Sequence, residues 1–200
     1  MKRLHLALAA AMGVTFVWSY VGCYDRFTWL LEVAPILLAL PVLAATYRRF
    51  PLTDLTYVLV TIHAVILMVG GHWTYARVPL FDWIRDAFEL SRKNYDKVGH
   101  FAQGFMPALY TREILLRTSP LGRGKWLFFL VVCVCLAFSA AYELVEWMVA
   151  SITNATDFLG TQGDVWDTQK DMATCLVGAI CGLLLLSRVQ DRQLGSRASR

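Results

Sequence analysis

Six apolar blocks, each near the length that carries a helix across a bilayer, divide this chain. They run Leu4–Val21, Thr28–Thr46, Leu55–Gly71, Val98–Leu116, Trp126–Ala150 and Met172–Ser187. Lipid offers no partner to a bare backbone N–H or C=O, so such blocks satisfy themselves as α-helices. The pattern predicts an all-α integral membrane protein, a single bundle of about six transmembrane helices. Residues 1–200 then form one polytopic domain, with three N-terminal helices over 4–71 and a second group over 96–187. Hydrophobic residues make up 57% of the chain and charged residues 17%. A soluble domain is nearer half apolar and a quarter charged. No soluble domain is expected.

The fourth block stands apart because it carries His100, Gln103 and Arg112. Connections are short except for about 25 residues from His72 to Lys97 and about 20 from Ser151 to Asp171. The first of these holds a segment, Pro79 to Leu90, that mixes Leu80, Phe81, Trp83, Ile84, Phe88 and Leu90 with Asp82, Arg85, Asp86 and Glu89. It reads as a short interfacial amphipathic helix able to roof a site, or as a connecting loop with aromatic anchors. The tail after Arg188 is expected to be polar and mobile.

Basic residues set the expected orientation. With the N-terminus in the cytoplasm, inner segments carry Lys2, Arg3, Arg48, Arg49, Arg112, Arg117, Arg123, Lys125, Arg188, Arg192, Arg197 and Arg200, which is 12. Outer segments carry Arg26, Arg77, Arg85, Arg92, Lys93, Lys97 and Lys170, which is 7. Both termini are therefore placed inside a multi-pass plasma membrane protein. The formal charge of +4 reflects this asymmetry. No basic stripe with interleaved aromatics occurs, so membrane lipids, and not nucleic acid, are the expected surroundings. Lys2-Arg3 ahead of an apolar run has the form of a secretion signal, and Val21-Gly22-Cys23 that of a lipoprotein cleavage site. Tyr20 stands where a small aliphatic residue belongs, and five blocks follow, so the first helix is read as uncleaved. The five cysteines are odd in number and form no Cys-x-x-Cys pair. Neither a disulfide framework nor a thiolate metal site is expected.

The chemistry lies in ionisable residues placed at membrane depth, where they are expensive and usually functional. Asp96, His100 and Gln103 fall on one face of the fourth block, near its outer end. Asp96 alternatively only complements the helix dipole. Glu143 and Glu146 are three apart on the fifth, sharing a face with Ser139. Two carboxylates there repel unless a proton or cation neutralises them. Asp164, Asp167 and Asp171, spaced three and four, open the sixth helix, after Gly160-Thr161-Gln162-Gly163. Aspartates also favour helix starts for capping alone. Gly178 and Gly182 form a Gly-x-x-x-Gly face that lets this helix pack closely and bring the aspartates near the glutamates. His72 closes the third block on the same side. His63 reads as a packed helix residue.

These motifs carry a resemblance. The run from Asp96 to Gly182 resembles the VanZ-like membrane family: Asp96-Lys97-Val98-Gly99-His100, then Glu143 or Glu146, then Asp164, Asp167 and Asp171 ahead of Gly178 and Gly182. His72-Trp73-Thr74-Tyr75, Asn94-Tyr95-Asp96, Glu143-x-x-Glu146-Trp147 and Gln162-Gly163-Asp164-x-x-Asp167-x-x-x-Asp171-Met172 resemble the YjdF-type bacterial inner membrane family over most of the chain. The resemblance implies a bacterial inner membrane, a compact helical bundle with a VanZ-like core over 96–187, and no settled activity. The chain doubles the VanZ-like glutamate and adds helices before the shared core, so glycopeptide resistance does not transfer.

The expected site is an outward-facing polar cluster of His72, Asp96, His100, Gln103, Glu143, Glu146, Gln162, Asp164, Asp167 and Asp171. Its candidate metal ligands are His100, Glu143, Glu146, Asp164, Asp167 and Asp171, with a divalent cation as cofactor. Such an ion can act on a lipid-linked or cell-envelope substrate by activating water or orienting a phosphate. A small transporter or proton relay is the second reading, and a structural or accessory membrane protein the third. Protonation of one glutamate, hydrogen-bonded to Tyr142 or Gln162, is the rival to the metal. No repeat or broken-helix pair supports alternating access.

Overall fold

The alternation of apolar blocks with polar turns folds into seven helices and, among the described residues, no strand. A computed structural model describes residues 2–153 and 162–198. Gly160 and Thr161 of the last connection, and Arg200 of the tail, lie outside the described residues. The helices are α1 (Arg3–Tyr20), α2 (Arg26–Thr46), α3 (Asp54–His72), α4 (Pro79–Ala87), α5 (Tyr95–Thr118), α6 (Lys125–Thr153) and α7 (Asp167–Ala198). Four of them, α2, α3, α6 and α7, are long and apolar enough to cross a membrane by length and composition. α1 has 18 residues and α5 has 24, sufficient in length at 1.5 Å per residue, but α1 is diluted by polar residues at its two ends and α5 by charge. The expected count of six is therefore carried by hydropathy in four cases only.

The caps explain several boundaries. Asp25 starts α2 by accepting a 2.7 Å bond from the Thr28 backbone N–H, and Thr53 starts α3 with its hydroxyl toward Thr56. One expectation fails here. The tail after Arg188 is not loose: α7 continues to Ala198, because Gln190 and Asp191 are tied to Arg112 at 2.8 Å each. Those bonds hold the helix well past its apolar stretch.

Side-chain partners show that the long helices alternate in direction. At one end Lys2 and His5 of α1 meet Asp54 of α3, and Tyr47 after α2 meets His5. At the other, Ser19 of α1 bonds Trp29 of α2 and His72 of α3. α6 runs with α1 and α3, while α2, α5 and α7 run the opposite way. The end bearing His72, Tyr95 and Asp167 is called the acidic end below. The other, bearing Lys2, Arg112 and Arg123, is called the basic end. α4 docks at the acidic end through Phe81 on Tyr95 and Asp82 on Lys93. Its Leu80 and Trp83 are exposed, as in a helix lying along an interface.

Two larger apolar clusters hold the bundle, and a smaller one of Tyr75, Val78 and Tyr95 lies at the acidic end. Trp29, Val33 and Ile36 of α2 pack on Ala64 and Met68 of α3, with Phe16 of α1 against them. Leu59, Met106, Leu109, Val131, Ala179 and Leu183 join α3, α5, α6 and α7. The closest approach is between α5 and α7, which run parallel. Gly178 and Gly182 press on the backbone carbonyls of Phe101 and Phe105, and Gly104 presses on that of Cys175. A side chain at any of the three would strike backbone. Close approach of this kind drives helix pairing in lipid, where apolar surface alone gives no preference. The expected Gly178–Gly182 contact is thus present, and its partner is α5.

Candidate functional site

Parallel packing of α5 and α7 sets their first turns side by side, so Asp96 and His100 face Asp167 and Asp171. The second half of α6 brings Ser139, Glu143 and Glu146, all buried, to the same end. The centre of the cluster is the His100 ring. Its Nδ1 lies 3.0 Å from the Gln103 side-chain oxygen. An amide oxygen only accepts, so Nδ1 carries the hydrogen. The other nitrogen, Nε2, faces three carboxylate oxygens: Asp96 Oδ1 at 3.3 Å, Glu143 Oε1 at 3.8 Å and Asp171 Oδ1 at 3.8 Å. A neutral ring would turn a lone pair toward three acceptors. The arrangement therefore calls for a proton, on the ring or on one of the three acids, or for a bound cation.

Basic side chains neutralise the rim. Arg92 and Lys97 both reach Asp167, at 2.5 and 2.7 Å, and Lys97 also reaches Asp171 at 2.5 Å. Asp164 pairs with Lys170 at 2.6 Å and Arg92 at 3.5 Å. The Lys170 ammonium and the Trp166 backbone N–H hold the Asp164 carboxyl below its ordinary value. Burial opposes the charge of Arg92, but the bond to Asp167, with Asp96 and Asp171 nearby, outweighs it and raises its pKa.

Deeper in, that compensation stops. Glu143 Oε1 is buried with no hydrogen-bond partner. Glu146 is buried, as is Glu32 of α2, which accepts a 3.3 Å bond from the Tyr142 hydroxyl.

The ten expected site residues separate accordingly. Asp96, His100, Gln103, Glu143, Asp167 and Asp171 converge in one cluster, and Asp164 joins it through Arg92. Glu146 lies on the same buried face of α6. Gln162 sits at the rim, bonding the backbone N–H and C=O of Lys93. His72 makes different contacts. Its Nδ1 bonds the Ser19 carbonyl at 2.9 Å and its ring stacks on Trp18, so it ties α3 to α1. Of the six candidate ligands, Asp164, Asp167 and Asp171 all carry ion pairs with Lys or Arg, Asp171 with Lys97 alone. A compact set of three emerges instead, Asp96, His100 and Asp171, whose donor atoms lie within 4.8 Å of one another. Sequence reasoning had Asp96 in the polar site but not among the ligands. It overlooked Glu32, although an acid inside an apolar block was the signal for the others, and it gave Arg92 and Lys97 no place in the site.

A second buried polar group occupies the basic end, also unforeseen. Glu113 is fully buried and accepts bonds from the Thr53 N–H and hydroxyl, the Thr56 hydroxyl and Arg117, at 2.7 to 3.0 Å. The Gln190 amide donates to the Leu109 carbonyl and accepts from Arg112, 2.8 Å each. Every oxygen of Glu113 is matched, as in a network that holds helices together. At the acidic end, by contrast, Glu143 Oε1 is buried without a hydrogen-bond partner.

Residues 4–192 match a family model described as predicted membrane protein (DUF2238). The chain is 49% identical over 189 residues to the inner membrane protein YjdF of Escherichia coli (strain K12), covering 92% of this chain and 90% of that one. No solved structure matches. One family thus takes in the N-terminal helices and the 96–187 segment alike; these matches do not themselves show a VanZ relationship.

Proposed function

The chain belongs to the DUF2238 family of predicted membrane proteins, and from that premise we propose that its acidic end is an outward-facing divalent-cation site in the bacterial inner membrane. All six long helices cross the bilayer in this reading, with both termini cytoplasmic, as the excess of Lys and Arg at the basic end supports. The ligands are Asp96, His100 and Asp171, with Glu143 completing the set. The observation that carries this is the His100 ring: Nδ1 donates to Gln103, while Nε2 points at three carboxylate oxygens. Metal-binding histidines are held in the same way, one nitrogen on the metal and the other donating to a carbonyl or carboxylate. Three carboxylates and one imidazole suit Mn²⁺, Mg²⁺ or Zn²⁺ better than a thiophilic ion. Asp164 and Asp167 hold Arg92 and Lys97 at the mouth, where paired cations suit an anionic substrate. The substrate class is a lipid-linked or cell-envelope molecule, able to reach a membrane-embedded site from the outer leaflet, and the ion would polarise it or a water.

One observation favours a second reading. Lys97 sits 2.5 Å from Asp171, so the protein's own cation takes part of the place a metal would need. A proton on His100, exchanged with Asp96, Glu143 and the acids beyond, gives a proton relay for a small transporter. Elemental analysis of the full chain purified with Mn²⁺, Mg²⁺ or Zn²⁺ in the buffer separates the two. The metal reading expects stoichiometric ion in the wild type and its loss in His100→Gln and Asp171→Asn. Negligible ion in the wild type, or the same amount in both variants, overturns it and leaves the relay.

A further inference from the structure

At the basic end, far along α5 and α7 from the cation site, two arginines meet over one carboxylate. Arg112 and Arg123 each donate to the same atom, Asp191 Oδ1, at 2.8 Å. One aspartate offsets one guanidinium, so a net positive charge is left between the two. Beside it lies a cavity of about 140 Å³ walled by Arg112, Arg123, Gly124, Leu127, Phe128 and Leu183, ample for a group the size of a phosphate. Gly124 brings the first turn of α6 to the wall, and the positive end of that helix dipole adds to the field. The opposite wall is apolar, and Phe128 and Trp126 on the first turn of α6 are exposed. A guanidinium pair next to an apolar wall, at the first turn of a helix long and apolar enough to cross a membrane, matches a phosphate that carries acyl chains.

We propose that this cavity binds a phosphate group, with Arg123 and Arg112 as its donors and Asp191 as the internal anion it competes with. Two sources share that chemistry: the headgroup of an anionic phospholipid and free inorganic phosphate. Arg112 also braces Gln190, whereas Arg123 is half exposed, so Arg123 can change without unmaking the fold. The competition gives opposite signs for two variants. Arg123→Gln should weaken binding about ten-fold, the loss expected for one charge-assisted bond. Asp191→Asn should tighten it, since both guanidiniums then turn to the ligand.

The test uses the full chain in two arms. In phosphatidylcholine nanodiscs containing phosphatidylglycerol, native mass spectrometry counts retained phosphatidylglycerol. In detergent, thermal unfolding is followed against inorganic phosphate. Retention that falls in Arg123→Gln and rises in Asp191→Asn assigns the site to lipid. A phosphate-dependent rise in melting temperature with the same ordering assigns it to the free anion. No binding in either arm, or binding that ignores both substitutions, overturns the proposal and makes the Arg112–Asp191–Arg123 group a helix tie only.

Discussion

Replacing Gly104 with Ala adds one methyl group and should loosen the helix pair that builds the site. The added Cβ would stand 2.7 Å from the Cys175 carbonyl carbon and 2.8 Å from the Ala179 nitrogen, and closer still to the Cys175 carbonyl oxygen. All are backbone atoms of α7, so no side chain can swing aside. Restoring ordinary contact moves α7 away by about an ångström or more, a gap that forfeits roughly half of each dispersion contact along the seam. Overpacking of this kind destabilises by about 1–3 kcal/mol. The better helix propensity of alanine returns roughly 0.5–1 kcal/mol, so the net loss should be on the order of 1–2 kcal/mol. Gly13→Ala is the control: it lies inside α1 with nothing within 4 Å of its Cβ. That variant should be neutral or slightly stabilised. Thermal unfolding of both in detergent, by near-ultraviolet circular dichroism, is the assay. Equal melting points for Gly104→Ala and Gly13→Ala would refute the argument that backbone contact at Gly104 sets the α5–α7 distance.

The two buried polar groups should answer mutation differently. Glu113→Ala strands the buried Thr53 and Thr56 donors, while Arg117 keeps its bond to the Pro51 carbonyl, and should cost about 1–3 kcal/mol, whereas Glu143→Gln, which replaces a carboxylate whose Oε1 has no hydrogen-bond partner, should leave unfolding near or above wild type; the reverse order contradicts the structural and functional assignments. Asp25 has its carboxyl lowered by the Thr28 backbone N–H and hydroxyl. Its cap therefore stabilises above the unfolded carboxylate pKa of about 3.8 and is lost as pH falls through the lower folded value. Asp25→Ala should lower stability by about 1 kcal/mol at neutral pH, and the gap from wild type should close in acid; a gap that persists below that range removes the cap argument. Reporter fusions after Arg49 and after Lys170 should fall on opposite sides of the membrane, inside and outside. Finding them on one side defeats the orientation.

What was legible in the sequence followed from two strong signals. Apolar block length placed the long helices to within a few residues at most ends, and the three- and four-residue spacings put Asp96 with His100 and Glu143 with Glu146 on shared faces. The Gly178–Gly182 spacing announced a close contact, but not that its partner was α5; that depended on Gly104, whose role is visible only against Cys175. The end of α7 was misread because polarity after Arg188 was taken for mobility. A polar helix stays ordered when a neighbour supplies ion pairs, as Arg112 does for Gln190 and Asp191. The same cause hid the division of the aspartates. Spacing shows that Asp164, Asp167 and Asp171 lie near one another, but only the packing of the 92–97 segment on α7 shows that Arg92 and Lys97 both take Asp167, that Lys97 shares Asp171 with His100, and that Glu143 meets no Lys or Arg of that segment. His72 shared the right end of the bundle but turned to Ser19, a choice made by one rotamer and one carbonyl.

The central claim is that His100 Nε2 binds a divalent cation among Asp96, Glu143 and Asp171. The most direct measurement is pulsed electron paramagnetic resonance on Mn²⁺ bound to the purified full chain. The account predicts a directly coordinated imidazole nitrogen in the wild type that disappears in His100→Gln while the Mn²⁺ content falls. A spectrum of fully hydrated Mn²⁺, with no nitrogen coupling in the wild type, would contradict it.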